Sequence, residues 1–230
     1  MAQTELVVFE FDGTLFDTHQ SISHCIKLTF DAFLPEQALP ESAVHHLISS
    51  GKGLEESFRE LHPDPTSLDE SAWVLKYRSL YAEHGQPLIT SFAGASDLLE
   101  KLHKRGTPVA IVSNKGVAAV VTALDRNGLG GVIPDDLIVG DKTPGATKKP
   151  DPSSYTKVLT PALKRYGIDS VDAKNVLVVG DTVADIQFAA NIGAKSVWCR
   201  YGYGDKSACE KLRPDFSVDS LKDVIAILKE

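Results

Sequence analysis

The chain has 230 residues, with 24 Lys and Arg against 31 Asp and Glu and a formal net charge of −7. That length buries a full core and accommodates one large domain or a domain with an insert, while the acidic excess argues against a general nucleic-acid surface, which needs a basic footprint. No uninterrupted apolar stretch approaches the roughly 20 residues needed to span a bilayer, so a membrane partner is not expected. The chain enters its first strand almost at once, which gives the expectation of no signal peptide and a cytoplasmic location. Cys25, Cys199 and Cys209 are few and widely spaced, the pattern of buried thiols rather than of a disulfide framework.

In chain order, Val7, Val8 and Phe9 form a short apolar run of strand type that stops at Glu10 and Asp12, with Gly13 and Thr14 following. Alternation along an extended backbone points Glu10 and Asp12 to the same side. Such a pair can hold a divalent cation or divide nucleophilic and acid/base work between its members. Acidic residues beside a turn can equally cap the next helix.

Residues 16 to 86 carry helical patterns near 18–33, 41–50, 53–61 and 68–84, separated by Pro35, Pro40, Gly51, Gly53, Pro63 and Pro65. No strand pattern lies between them. The segment reads as an all-helical cap, residues 17–86, inserted into an α/β core of residues 1–16 and 87–230, with connections near 16–18 and 85–90. Lys52 and Arg59, near the glycine-flanked turn, are candidates for gripping an anionic group of a substrate, and both also suit a solvated helix face. Trp73, Tyr77, Leu80 and Tyr81 read as cap packing, and His45 and His46 lack a partnered metal spacing.

Beyond residue 90 the pattern alternates. Ala95, Leu98, Leu99 and Leu102 repeat with helical spacing, and Val109 to Val112 reads as a buried strand. Val117, Val120, Val121 and Leu124 mark the next helix, near 116–127. Strand runs at 137–139, 176–179 and 196–199 alternate with helical patterns at 153–166 and through Ile186 and Ala190, and Leu221, Val224, Ile225 and Leu228 close the chain as a helix. Strands alternating with helices predict a doubly wound α/β fold with a mostly parallel sheet covered on both faces.

Three polar clusters follow these strands or occupy a nearby loop. Ser113 and Asn114 end the 109–112 run, where a hydroxyl and backbone amides beside a helix start suit a phosphoryl oxygen or simply cap the helix. Lys149 sits in an irregular segment with Pro150 and Pro152, placed to neutralise a phosphoryl group and a carboxylate together. Asp181 and Asp185 end the strongest strand, four residues apart at a helix start, a spacing suited to hard-cation binding.

The ordered set Glu10-Phe11-Asp12-Gly13-Thr14, Ser113-Asn114, Lys149 and Asp181 to Asp185 resembles the four signatures of the haloacid dehalogenase superfamily, over essentially the whole chain. The helical insert resembles that superfamily's first-position cap. The runs Ser50 to Leu54, Tyr201 to Tyr203 and Pro214-Asp215 are similar to phosphoglycolate-phosphatase-like members. The resemblance implies a Mg²⁺-dependent phosphatase of a small phosphorylated, anionic metabolite, acting as monomer or homodimer. Glu10 would stand at the nucleophile position and Asp12 at the acid/base position. Ser113 and Asn114 would bind the phosphoryl group, with Lys149 neutralising it. Magnesium would be held by Glu10, the Asp12 carbonyl, Asp181 and Asp185.

Glu10 departs from the pattern, whose usual residue is aspartate. The extra methylene moves the carboxylate oxygens by up to ~1.5 Å, and misplacement near 1 Å can cost on the order of a hundredfold in rate. The expectation is impaired or altered turnover. A catalytically inactive binding or regulatory protein, a dehalogenase and a phosphomutase are the alternative readings of the same scaffold.

Overall fold

The computed structural model describes residues 4–228. Its elements, in chain order, begin with β1 (Leu6–Phe9) and β2 (Phe16–Asp17). Four helices follow: α1 (His19–Phe33), α2 (Glu41–Ser50), α3 (Leu54–Leu61) and α4 (Glu70–Leu80). Then come β3 (Thr90–Ser91), α5 (Ala95–Lys104), β4 (Val109–Gly116), α6 (Val117–Arg126), β5 (Ile138–Asp141), α7 (Thr160–Leu163) and β6 (Val176–Gly180). The chain closes through α8 (Val183–Ile192), β7 (Lys195–Cys199), α9 (Lys206–Lys211), β8 (Phe216–Val218) and α10 (Leu221–Ile227).

Six strands form one parallel sheet in the order β5-β4-β1-β6-β7-β8. Every residue of β1 and β6 is buried, so helices cover both faces, as the continuous apolar runs predict. Val8 pairs with Ala110 on one side and Val178 on the other. This register ends β1 and β6 nearly level, while β4 runs on beside them to Gly116. Because all run the same way, the polar residues that follow them gather at one edge of the sheet, where open α/β sheets place their sites.

Three details depart from the sequence reading. β8 is an additional edge strand, and β2 pairs antiparallel with β3 through Phe16–Ser91 and Asp17–Thr90. Elements of two or three residues are too short for periodicity to reveal. The 153–166 region is helical, but it passes from a π-helical stretch at Ser154–Leu159 through α7 into a 3₁₀ turn at Lys164–Tyr166.

Helices α1 to α4 pack around Trp73, whose ring stacks on Phe33 at 5.0 Å and meets Phe30 and Phe58 edge-on at 4.8 and 5.4 Å, and this packing is continuous with the core of the sheet. Such aromatic pairs each contribute about 0.5–1.5 kcal/mol beyond burial. A π-helical turn at Tyr81–Gly85 continues α4 and packs against α1. The cysteines are free and buried, as expected.

Candidate active site

Glu10 leaves the end of the central strand with its backbone N–H donating to Val179 O at 2.9 Å. Its side chain is buried. Oε1 accepts hydrogen bonds from the backbone N–H of Phe11 at 2.6 Å and of Asp12 at 3.3 Å, and from Ser113 Oγ at 2.5 Å. Oε2 meets the Lys149 ammonium. A single carboxylate thus gathers donors from β1, β4 and the 149 loop. Burial raises its pKa and the Asp185 and Asp12 charges raise it further, while Lys149 pulls it down.

Lys149 is buried as well and also bonds Asp185 Oδ1 at 2.5 Å. Burial opposes its charge, yet Asp185 and Glu10 outweigh that and hold the ammonium above the ordinary lysine value. Asp185 also caps α8, accepting from the backbone N–H and hydroxyl of Thr182 at 2.9 and 2.7 Å. Asp181 is fixed by Thr14 Oγ1 at 2.9 Å and by the Tyr203 N–H at 2.8 Å. Burial and the neighbouring Asp185 push its carboxyl up to about 8. Gly13 has a φ of 74°, and a Cβ there would lie 2.3 Å from Asp181 Oδ2. Glycine is therefore required for both its conformation and its closeness.

Glu10, Ser113, Lys149 and Asp185 are joined by direct hydrogen bonds, with Asp181 beside them. Asn114 serves otherwise: its Oδ1 accepts from the Lys149 backbone N–H and its Nδ2 donates to Gly51 O, both at 2.9 Å. It holds the lysine loop and the α2–α3 turn together and stands in the wall of the cavity above the site. Lys115 closes the Ser113-Asn114-Lys115 run but drew no role from sequence. Its ammonium pairs with Asp12 Oδ1 at 3.1 Å and lies 4.3 Å from the centre of the Tyr81 ring. Burial disfavours that charge, but Asp12 and Tyr81 reverse the effect and raise the lysine pKa.

A cavity of about 640 Å³ opens above these groups and extends under α1, α2 and α4. Tyr77 and Tyr81 are packed and buried, and they also line this cavity. Lys52 reaches its rim but is paired with Glu60 and, at 3.8 Å, with Glu56. Arg59 is exposed, paired with Glu70 at 2.5 Å, and not part of the cavity wall. Arg78 and Asp141 are cavity residues without a sequence signal, joined across 2.7 Å between α4 and the end of β5.

Among the described residues no group of three or more His, Cys, Asp or Glu side chains stands at metal-ligand spacing. Magnesium does not require one, because it commonly takes one or two carboxylates and completes its shell with water and substrate phosphate. The charge balance suits such an ion: among the described residues, the buried acids Glu10 and Asp185 have only the ammonium of Lys149, and the buried Asp181 beside them pairs with no cation. All donors are hard oxygens, so the residues present fit a hard divalent cation.

The family described as haloacid dehalogenase-like hydrolase matches residues 7–199. A phosphoglycolate phosphatase of Pectobacterium atrosepticum is 30% identical over 96% of this chain and 91% of its own length. The pyrophosphatase PpaX of Bacillus pumilus is 28% identical over 96% and 95%. In fold, the chain is similar to a haloacid dehalogenase-like family hydrolase of Streptococcus pneumoniae, with a TM-score of 0.77, 24% identity and coverage of 97% of both chains.

Proposed function

Since the chain belongs to the haloacid dehalogenase-like hydrolase family, we propose that it is a magnesium-dependent phosphatase of small phosphate monoesters, with residues 17–86 as a cap over a catalytic core. The convergence of Glu10, Ser113 and Lys149 on one strand edge carries this reading. The activities named for the relatives, phosphoglycolate phosphatase and pyrophosphatase, belong to the same chemistry of phosphoryl transfer to water.

In this reading a Glu10 oxygen attacks phosphorus, the bond to the leaving oxygen breaks, and Asp12 gives that oxygen its proton. Water then attacks the phosphorus of the acyl phosphate, losing its proton to Asp12 and releasing inorganic phosphate and the Glu10 carboxylate. Ser113 Oγ and the Lys149 ammonium hold the equatorial oxygens, and Asn114 acts on them by placing the Lys149 backbone. Magnesium would be held by Glu10, the Asp12 carbonyl, Asp181 and Asp185, and it supplies charge neutralisation on the transferred group.

Glu10 slows this chemistry for a geometric reason. Its longer side chain brings the carboxylate itself onto Ser113, Lys149 and the Phe11 N–H, the donors a phosphoryl group would use. The same observation favours a second reading, a family member that binds ligands without turnover. Phosphate release by the native protein and by Glu10→Asp, with magnesium and a panel of phosphomonoesters, separates the two. Release that rises in Glu10→Asp supports the phosphatase; silence from both proteins overturns it.

A further inference from the structure

The cavity beside Glu10 has a volume of about 640 Å³, inside the range that encloses a drug-sized molecule. A two-carbon phosphoester, allotted the ~30 Å³ per non-hydrogen atom that water takes in the liquid, fills less than half of it. The part under the cap is walled by Ile22 and Ile26 of α1, Leu47 and Ile48 of α2, and the rings of Tyr77 and Tyr81. This wall offers apolar surface to whatever is attached to the phosphoryl group.

Its cations are already taken. Among the described residues, five basic side chains line the cavity: Lys52, Arg78, Lys115, Lys142 and Lys149. Lys52 is paired with Glu56 and Glu60, Arg78 with Asp141, and Lys115 with Asp12. Lys142 is paired with Glu55, and Lys149 with Glu10 and Asp185. Lys149 faces the phosphoryl position. Among the described residues none of the other four is free of an acid, so a carboxylate brought under the apolar wall would lose hydration and meet no unpaired cation, only the hydroxyl of Tyr81.

We infer that the substrates are phosphomonoesters of uncharged alcohols bearing a bulky apolar or aromatic group, not of short hydroxy acids. The inference rests on the phosphatase reading of the same site and specifies what its leaving group is. Apolar area sets the preference and the closed ion pairs set the exclusion, so specificity has an attractive and a repulsive part.

The test uses two non-hydrolysable phosphonates on the full-length Glu10→Asp protein with magnesium, followed by titration calorimetry. Phenethylphosphonate stands for an aromatic ester and phosphonopropionate for phosphoglycolate. The expected result is binding of phenethylphosphonate tighter by about tenfold or more, the scale on which an apolar pocket discriminates. Adding Ile22→Asn removes that advantage, and adding Asp141→Asn frees Arg78 and improves phosphonopropionate binding. Equal binding, preference for phosphonopropionate, or no binding of either overturns the inference. Phosphate release is measured on benzyl phosphate and phosphoglycolate separately. Release that favours phosphoglycolate sinks the inference and leaves the phosphatase standing. Absence of release with selective phenethylphosphonate binding sinks the phosphatase instead.

Discussion

Ser113 Oγ donates a 2.5 Å hydrogen bond to Glu10 Oε1, tying β4 to the residue that follows β1 at the centre of the site. The bond occupies the hydroxyl that a phosphoryl oxygen would accept from. Glu10→Asp shortens the side chain and frees that hydroxyl, and the expected gain in phosphate release is on the order of a hundredfold. A coupled phosphate assay measures it, and an unchanged rate would show that the methylene is not the obstacle.

Among the described residues, Lys149 is the only ammonium in contact with two buried carboxylates, Glu10 and Asp185. Lys149→Met leaves both without their counter-charge, and breaking a buried pair in this way costs about 3–5 kcal/mol. Urea unfolding gives the value. A loss below ~1 kcal/mol would mean that the two acids take up protons or water instead.

Magnesium stabilises the folded chain if it joins the acid cluster. At about a hundredfold excess over its dissociation constant, it adds roughly 2.7 kcal/mol to the unfolding free energy. Asp181→Asn removes a ligand from the cluster and abolishes most of that increment, so EDTA, which reverses the magnesium effect in the wild type, leaves the variant unmoved. Thermal unfolding with and without magnesium reads the difference.

Glu55, at the start of α3, pairs with Lys142 at 2.8 Å and Lys148 at 3.0 Å, fastening the helix to the loop after β5. Burial alone would raise its carboxyl, but the hydrogen bonds from the two lysines outweigh it and bring it down to about 2. A depressed carboxyl contributes stability above its unfolded value near 4.5 and loses it as pH falls toward 2. Wild type is therefore more stable than Glu55→Gln at neutral pH, and the two converge on acidification across that window. Unfolding free energies at a series of pH values would refute the latch if the gap stayed constant.

Much of this was legible in the chain itself. Continuous apolar runs at Val7 to Phe9, 109–112 and 176–179 are what a sheet buried on both faces demands, so the central strands and the residues ending them could be read directly. β2, β3 and β8 were not legible, because two or three residues carry no period and their pairing is set by distant partners. Tyr77 and Tyr81 looked like packing and are packed, but the fold also turns them toward the cavity.

The sequence by itself determined the family, the parallel α/β sheet and the chemical identity of the residues at its edge, because local periodicity and the order of short motifs survive without coordinates. Only the tertiary structure decided which charges remain available. Lys149 meets Glu10 across 139 positions of chain, Lys115 meets Asp12 across 103, and Arg78 meets Asp141 across 63. An ion pair depends on a few ångströms of separation, which the folded packing of β1, β4 and α4 sets and no spacing along the chain encodes.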